Sequence, residues 1–492
     1  MRGCKVGGAL VAVAVLTAAC GGDGGQSTKG GGSGAPVTLR IGTDDMRGRP
    51  AADQIEEVAR QVEDRSDGRL RIEPVWRAAG EAADDWDQVV ARKVADGRLD
   101  MGMIPARAWD TEGVTTLQAL HAPFLVTSDE LVGEIVSGDL ADEMLAGLDE
   151  TGVTGLALLP EDMRYLFAFG EPVRSLADIE GATIRVPRSD TAYAIFEALG
   201  AKPDDLGGPG DLFPKGVVSG DVRAADSSYA LAPTLPGPTT ATGNVTLYPK
   251  VNSLVVNADV FDDLSDEQQE TLRAAAAATR DWAVERAPSE AEALRAEFCR
   301  VEGGRVVLAS DADVAAFEQA TQPVYDDLER DEATAALIER IRDIKEELPP
   351  AAPVTPCEPS GGELAPPVEG DESAAPDYPE GVYRAEITED DLRNYFPEIT
   401  DRDLESNHGT FTCTIADGRF SCDQRPPGYI DTYEGRYEVA GDRITFYLAW
   451  LNDLPATFTW RFDGDSIDLD TVGDIPPVLA ATFTAHPWAK IG

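Results

Sequence analysis

PVRSLADIEGATIRVPRSDTAYAIFEALGAKP, residues 172–203, places a short β-branched strand over 183–186 directly before a helix over 191–199. The same rhythm extends outward in both directions. Upstream, residues 37–42 read as a strand. Ile55, Val58, Ala59 and Val62 then recur at helical spacing and stop at the Asp67-Gly68 turn signal. Leu70 and Ile72 return to strand, Trp86, Val89, Val90 and Val94 mark a second helix, and 99–104 and 153–159 are further strands. Strand alternating with helix predicts a largely parallel sheet covered by helices, an α/β fold. Downstream, a long helical stretch opens at Ser265, where Ser265 and Gln268 have capping-box spacing, and Pro288 is expected to bend or break it. Two further helices fit between 311 and 347.

Beyond residue 348 the composition changes twice. Residues 349–376 are rich in Pro, Gly, Ala and acid and lack periodicity, which predicts a linker. Residues 377–492 then alternate apolar and polar positions over 381–387, 410–415, 433–439, 443–448, 457–462 and 466–469. Asp417-Gly418, Gly441-Asp442 and Asp463-Gly464 supply turns between several of them. Short strands at regular spacing predict a small antiparallel β-barrel or sandwich. Thr388 is placed to cap a short helix after the first strand. The domain loosely resembles a lipocalin-like barrel, with Gly381-Val-Tyr383 in place of the Gly-x-Trp start. It is read either as a ligand holder or as a spacer or partner-contacting module.

The first residues read as an address. Arg2 and Lys5 precede an apolar run over 6–16 that is too short to span a bilayer, and Leu16-Thr-Ala-Ala-Cys20 resembles a bacterial lipobox. Residues 1–19 are therefore expected to be a lipoprotein signal peptide, Cys20 the lipidated residue, and 20–36 a Gly/Ser-rich tether on the extracytoplasmic face of the cell membrane. With Cys4 in the signal and Cys20 lipidated, four cysteines remain for an oxidising compartment. Cys413 and Cys422 flank one hairpin turn and are expected to pair, leaving Cys299 with Cys357. The 42 basic and 89 acidic residues give a net charge of −47, with no basic patch for nucleic acid. Neither CxxC nor a Cys/His cluster points to a metal. His121, His408 and His486 form no triad or metal pattern, and neither a Ser nucleophile elbow nor a phosphate-binding glycine motif is present. No cofactor and no enzymatic activity are expected.

Gly181-Ala-Thr-Ile-Arg185-Val-Pro187, preceded by Pro172-Val173 and Leu176-Ala-Asp178 and followed by Phe196-Glu-Ala-Leu-Gly200-Ala-Lys-Pro203, resembles the signature region of DctP-type substrate-binding proteins. These serve TRAP (tripartite ATP-independent periplasmic) transporters. Asp67-Gly-Arg-Leu, Asp96-Gly-Arg-Leu-Asp100-Met, Pro123-Phe-Leu125 and Val255-Val-Asn257 fall in the family's order, so the resemblance spans 36–348. It implies a two-lobed, type II periplasmic-binding-protein-like domain over 37–348, a hinge crossed more than once, and a helix lying along both lobes. It further implies an organic-acid ligand enclosed between the lobes and integral membrane subunits as partners. Arg185 matches the arginine that pairs with the ligand carboxylate, and Arg164, in Asp162-Met-Arg164-Tyr, matches a second arginine beside it. Where the family carries a polar cluster near the ligand, this chain has Asp226, Ser227 and Ser228, so Asp226 and Ser227 join the ligand-binding candidates. Trp76, Arg107 and Trp109 are read as packing or surface residues. The function implied is a lipid-anchored receptor that passes a small carboxylate-bearing solute to a TRAP-type secondary transporter. The alternative is a ligand-sensing or structural surface lipoprotein acting through the barrel.

Overall fold

The computed structural model describes residues 36–45, 49–80, 85–207, 212–236, 239–300, 304–357, 378–395, 404, 407–416, 418–425, 432–448, 454–472 and 477–491. Cys20, the signal and most of the tether lie outside them, as does the expected linker from 358 onward. Strands β1 (Val37–Gly42), β2 (Leu70–Val75), β3 (Met101–Pro105), β4 (Val153–Met163) and β10 (Pro249–Asn257) form one sheet in the order β2-β1-β3-β10-β4. The first three are mutually parallel, and β10 runs antiparallel between β3 and β4. Lying inside the sheet with both faces covered, β10 is buried at every position. The helix Pro50–Ser66 lays Ile55, Val58 and Val62 on the sheet in one apolar cluster with Leu39, Ile41 and Met101. Each such side chain contributes about 1.5–3 kcal/mol on leaving water.

A second sheet is built from β5 (Tyr165–Phe169), β6 (Thr183–Arg185), β7 (Lys202–Asp204), β8 (Val222–Ser227), β9 (Thr239–Thr242) and β11 (Arg305–Val307). Its order is β11-β9-β5-β8-β6-β7. The chain passes between the sheets at Arg164, from β4 to β5, and again between β9 and β10. The two passes are stitched together: the Arg164 N–H donates to Tyr248 O at 2.9 Å, and the Leu247 N–H donates to Arg164 O at 2.9 Å. A third link is the 35-residue helix Asp266–Arg300, about 50 Å long at 1.5 Å per residue, which packs on β4 and reaches β11. Its capping box is present: the Gln268 N–H donates to Ser265 Oγ and the Ser265 N–H to Gln268 Oε1. The helix runs through Pro288 without ending, because flanking Ala283, Ala287 and Phe298 are buried and packing outweighs one lost hydrogen bond.

The tail domain is a closed barrel in which consecutive strands pair antiparallel: β12 (Gly381–Ile387), β13 (Gly409–Ala416), β14 (Arg419–Arg425), β15 (Thr432–Ala440), β16 (Arg443–Leu448), β17 (Leu454–Phe462), β18 (Ser466–Val472) and β19 (Trp488–Lys490). Pairing of β12 with β19 closes it and removes the sheet edges. Gly418, at φ 75°, supplies the left-handed residue that the tight β13–β14 turn requires. The helix Pro477–Thr484 sends Phe483 into the interior, where it stacks on Phe446 and Trp488. These rings leave an internal void of about 10 Å³, room for one water-sized sphere. An eight-stranded barrel is just wide enough for side chains to fill, and here they fill it.

Both expected disulfides are present. Cys413 and Cys422 face each other on β13 and β14, and Cys299 bonds Cys357. Cys357 also forms an antiparallel bridge with Val306, so residues 349–357, the start of the expected linker, run to the edge of the second sheet.

Candidate functional site

The parallel strands β1, β3 and β6 end where the two lobes meet, and the chain's buried charges gather at those ends. Arg185 is the last residue of β6. Its guanidinium carbon lies 5.8 Å from the Trp86 ring centre, on the first-lobe helix Trp86–Ala95, and 5.7 Å from that of Phe213 in the second lobe. Among the described residues no carboxylate pairs with it. Burial, with the like charges of Arg164 and Arg107, pulls its pKa down to about 10, so its charge is held uncomfortably.

Arg164 sits at the strand crossing and is 3% exposed. Its Nε donates to Asp226 Oδ1 at 2.9 Å and its Nη2 to Asp226 O at 2.6 Å. The Tyr248 hydroxyl donates to Asp226 Oδ2. Burial opposes the charge on Arg164, and Asp226 more than restores it. Asp226, fully buried on β8, is thus spent on orienting Arg164, and three of the expected residues, Arg185, Arg164 and Asp226, come together. Ser227 is the next residue on the strand, so alternation directs its side chain to the opposite face.

Sequence reasoning missed the first-lobe half of the cluster. Arg107, read as packing or surface, is 9% exposed and donates from Nη2 to Asp87 Oδ2 at 2.7 Å, while its buried Nη1 has no hydrogen-bond partner. Lys250, 8% exposed, lies 2.8 Å from Glu161 Oε2 and 3.5 Å from Asp45 Oδ2. Although burial works against the Asp45 charge, Lys250 and Arg49 hold its carboxyl below the usual range. Asp44 is pushed up to about 7 by burial and the nearby charge of Asp87. No local motif marks these residues. The one available signal was the position of Asp44, Asp45 and Arg107 just past the ends of parallel strands. Trp109 is packing, as read, and its Nε1 donates to Ser253 Oγ at 2.8 Å. Trp76 packs beside the first sheet's core.

Two contacts join the lobes beside the cluster. Asp110 Oδ2, in the segment after β3, accepts from Ser189 Oγ at 2.6 Å and from the Thr191 N–H at 2.9 Å, at the start of the second-lobe helix Asp190–Ala198. Gln88 Nε2 donates to Arg188 O at 3.2 Å. Together these features define a two-lobed protein whose lobes are joined by paired crossings, with buried basic side chains at the seam.

Residues 42–331, more than half of the chain, match the family model for bacterial extracellular solute-binding protein family 7, DctP. The chain belongs to this family of TRAP solute-binding proteins, which are transport receptors and not enzymes. A Chromohalobacter salexigens solute-binding protein is 22% identical over 282 residues, covering 56% of this chain and 80% of that one. YiiZ of Salmonella typhimurium, itself uncharacterised, is 21% identical over 305 residues, covering 60% and 89%. Among solved structures, the TRAP periplasmic solute-binding protein of Xanthobacter autotrophicus, with bound β-D-galacturonate, superposes with a TM-score of 0.54 at 21% identity, covering 62% of this chain and 99% of that one. The sugar-acid-binding DctPAm of Advenella mimigardefordensis, in complex with galactonate, gives 0.55 at 16% identity, covering 64% and 99%. At such identities the likeness shows the shared fold.

Proposed function

We propose that this protein is a lipid-anchored receptor that captures a sugar acid and delivers it to the membrane subunits of a TRAP-type transporter. Arg185 carries the reading. It is a guanidinium at a strand end in the interlobe cleft, flanked by two aromatic rings and lacking a carboxylate partner among the described residues. A guanidinium keeps its charge when water is excluded and offers two parallel N–H donors that fit a carboxylate. Arg164, fixed by Asp226, supplies a second donor on the same side, and Ser227 lines the strand behind. Hexuronates and hexonates are the first candidates, because relatives of this fold hold galacturonate and galactonate. A thermal-shift panel of these acids tests the reading. A cognate acid at 100 times its Kd stabilises by about 2.7 kcal/mol. A panel in which no acid raises the melting temperature, while neutral sugars do, would sink it.

Anchoring rests on the lipobox-like run ending at Cys20. Cys20→Ala should move the protein from the membrane fraction to the medium. Continued partitioning of that variant into detergent would contradict the anchor.

A further inference from the structure

We infer that the cleft is balanced in charge to accept a singly charged acid and to reject the same skeleton carrying a second carboxylate. This rests on the carboxylate-receptor reading above and concerns what surrounds its anchor. Five buried or half-buried basic side chains surround the seam: Arg49, Arg107, Arg164, Arg185 and Lys250. Four of them face carboxylates of the chain itself, Arg49 lying beside Asp45. Asp226 takes Arg164 at 2.9 Å, Asp87 takes Arg107 at 2.7 Å, and Lys250 has both Glu161 at 2.8 Å and Asp45 at 3.5 Å. Only Arg185 keeps a positive charge for a ligand, which provides for one carboxylate.

The first-lobe side offers a second carboxylate no cation that an acid of the chain does not already face. Two acids surround Lys250, Asp44 adds a third nearby, and Arg49 lies beside Asp45. A like charge brought into such surroundings, or left there without a cation, costs several kcal/mol. A hydroxyl meets no such barrier. The unpartnered, buried Nη1 of Arg107 is a donor whose charge Asp87 already balances, so it fits a neutral oxygen. The chemistry selected is therefore one carboxylate at Arg185 followed by hydroxyl groups.

Two matched pairs test this by titration calorimetry on the whole chain. D-Galactonate and galactarate differ only in the terminal hydroxymethyl or carboxylate, and 2,4-dihydroxybutyrate and malate differ in the same way at the end of a four-carbon chain. The monoacid should bind roughly 100-fold or more tightly than its diacid. Asp45→Asn, which removes one charge beside Lys250, should narrow the galactonate–galactarate ratio by about tenfold. A diacid that binds as tightly as its monoacid would overturn the charge-balance inference while leaving a carboxylate receptor in place. An unchanged ratio in Asp45→Asn would overturn the role given to the first-lobe acids. Binding of neither member of either pair, together with no binding of any hexuronate in the thermal-shift panel, would overturn the receptor reading and this inference with it.

Discussion

The seam between the lobes and the barrel interior are both desolvated, and the chain fills them in opposite ways. The barrel interior is lined with rings: Phe446 touches Phe420, Phe458 and Phe483, and a void of about 10 Å³ lies among them. At the cleft the chain instead buries arginines, a lysine and carboxylates, groups that cost stability on leaving water unless each is paired. Packed rings stabilise a fold, whereas a desolvated guanidinium with no carboxylate among the described residues does not, and the proposed ligand would supply what Arg185 lacks. The contrast separates a stabilised module from the proposed binding site within one chain.

The largest effect expected from this contrast lies in the barrel. Phe446→Ala should destabilise that domain by about 3–5 kcal/mol by opening a cavity among fully buried rings. Calorimetry should show the barrel transition fall while sugar-acid affinity stays unchanged. A loss of affinity would show that the two regions are coupled. The disulfides sharpen the comparison through loop length. The Cys299–Cys357 bridge spans 58 residues and is worth about 4 kcal/mol, against about 3 kcal/mol for Cys413–Cys422, which spans 9. Chemical denaturation of the two paired Cys→Ser variants should rank them in that order, each lowering the transition of its own domain.

A smaller effect, and one that depends on pH, belongs to the receptor domain. Asp129 is pushed up to about 7 by burial and then by the charges of Asp162 and Glu130. Its folded-state pKa lies above the ordinary value, so ionising it costs stability. The penalty is absent below about pH 4, grows as pH rises, and is complete above about 7. Asp129→Asn should therefore stabilise the protein at pH 8, on the order of 1–3 kcal/mol, and the gain should vanish near pH 4. A gain independent of pH would assign the effect to packing instead.

The same contrast governs what was legible in the sequence. Most barrel strands announced themselves because Tyr383, Ala385 and Ile387 alternate with exposed Arg384 and Glu386, a pattern of period two that survives without tertiary context. Alternation did not mark strand β14, whose inward positions are Phe420, Cys422 and Gln424, only one of them strongly apolar; the hairpin expected between Cys413 and Cys422 implied it instead. The helix Pro477–Thr484 escaped because PVLAATFT shows no one-sided apolar stripe. In the cleft, Arg185 was legible because it sits inside a local motif. The Arg107–Asp87 and Lys250–Glu161 pairs were not, since an ion pair made by distant segments leaves no spacing to read. Asp226 was read as a ligand contact, and its three bonds to Arg164 and Tyr248 reveal a positioning role that only the hinge crossing creates.

The central claim is that Arg185 holds the ligand's carboxylate. Titration calorimetry of D-galactonate, or of the acid giving the largest thermal shift, against wild type, Arg185→Ala and Arg185→Lys tests it most directly. Removing one partner of a desolvated charged pair costs roughly 2–5 kcal/mol, so affinity should fall by about 30-fold to a few thousand-fold in Arg185→Ala. Arg185→Lys should lose nearly as much, because lysine keeps the charge without the two-pronged geometry. Near-normal affinity in Arg185→Ala, with the circular dichroism of the folded protein intact, would contradict the account.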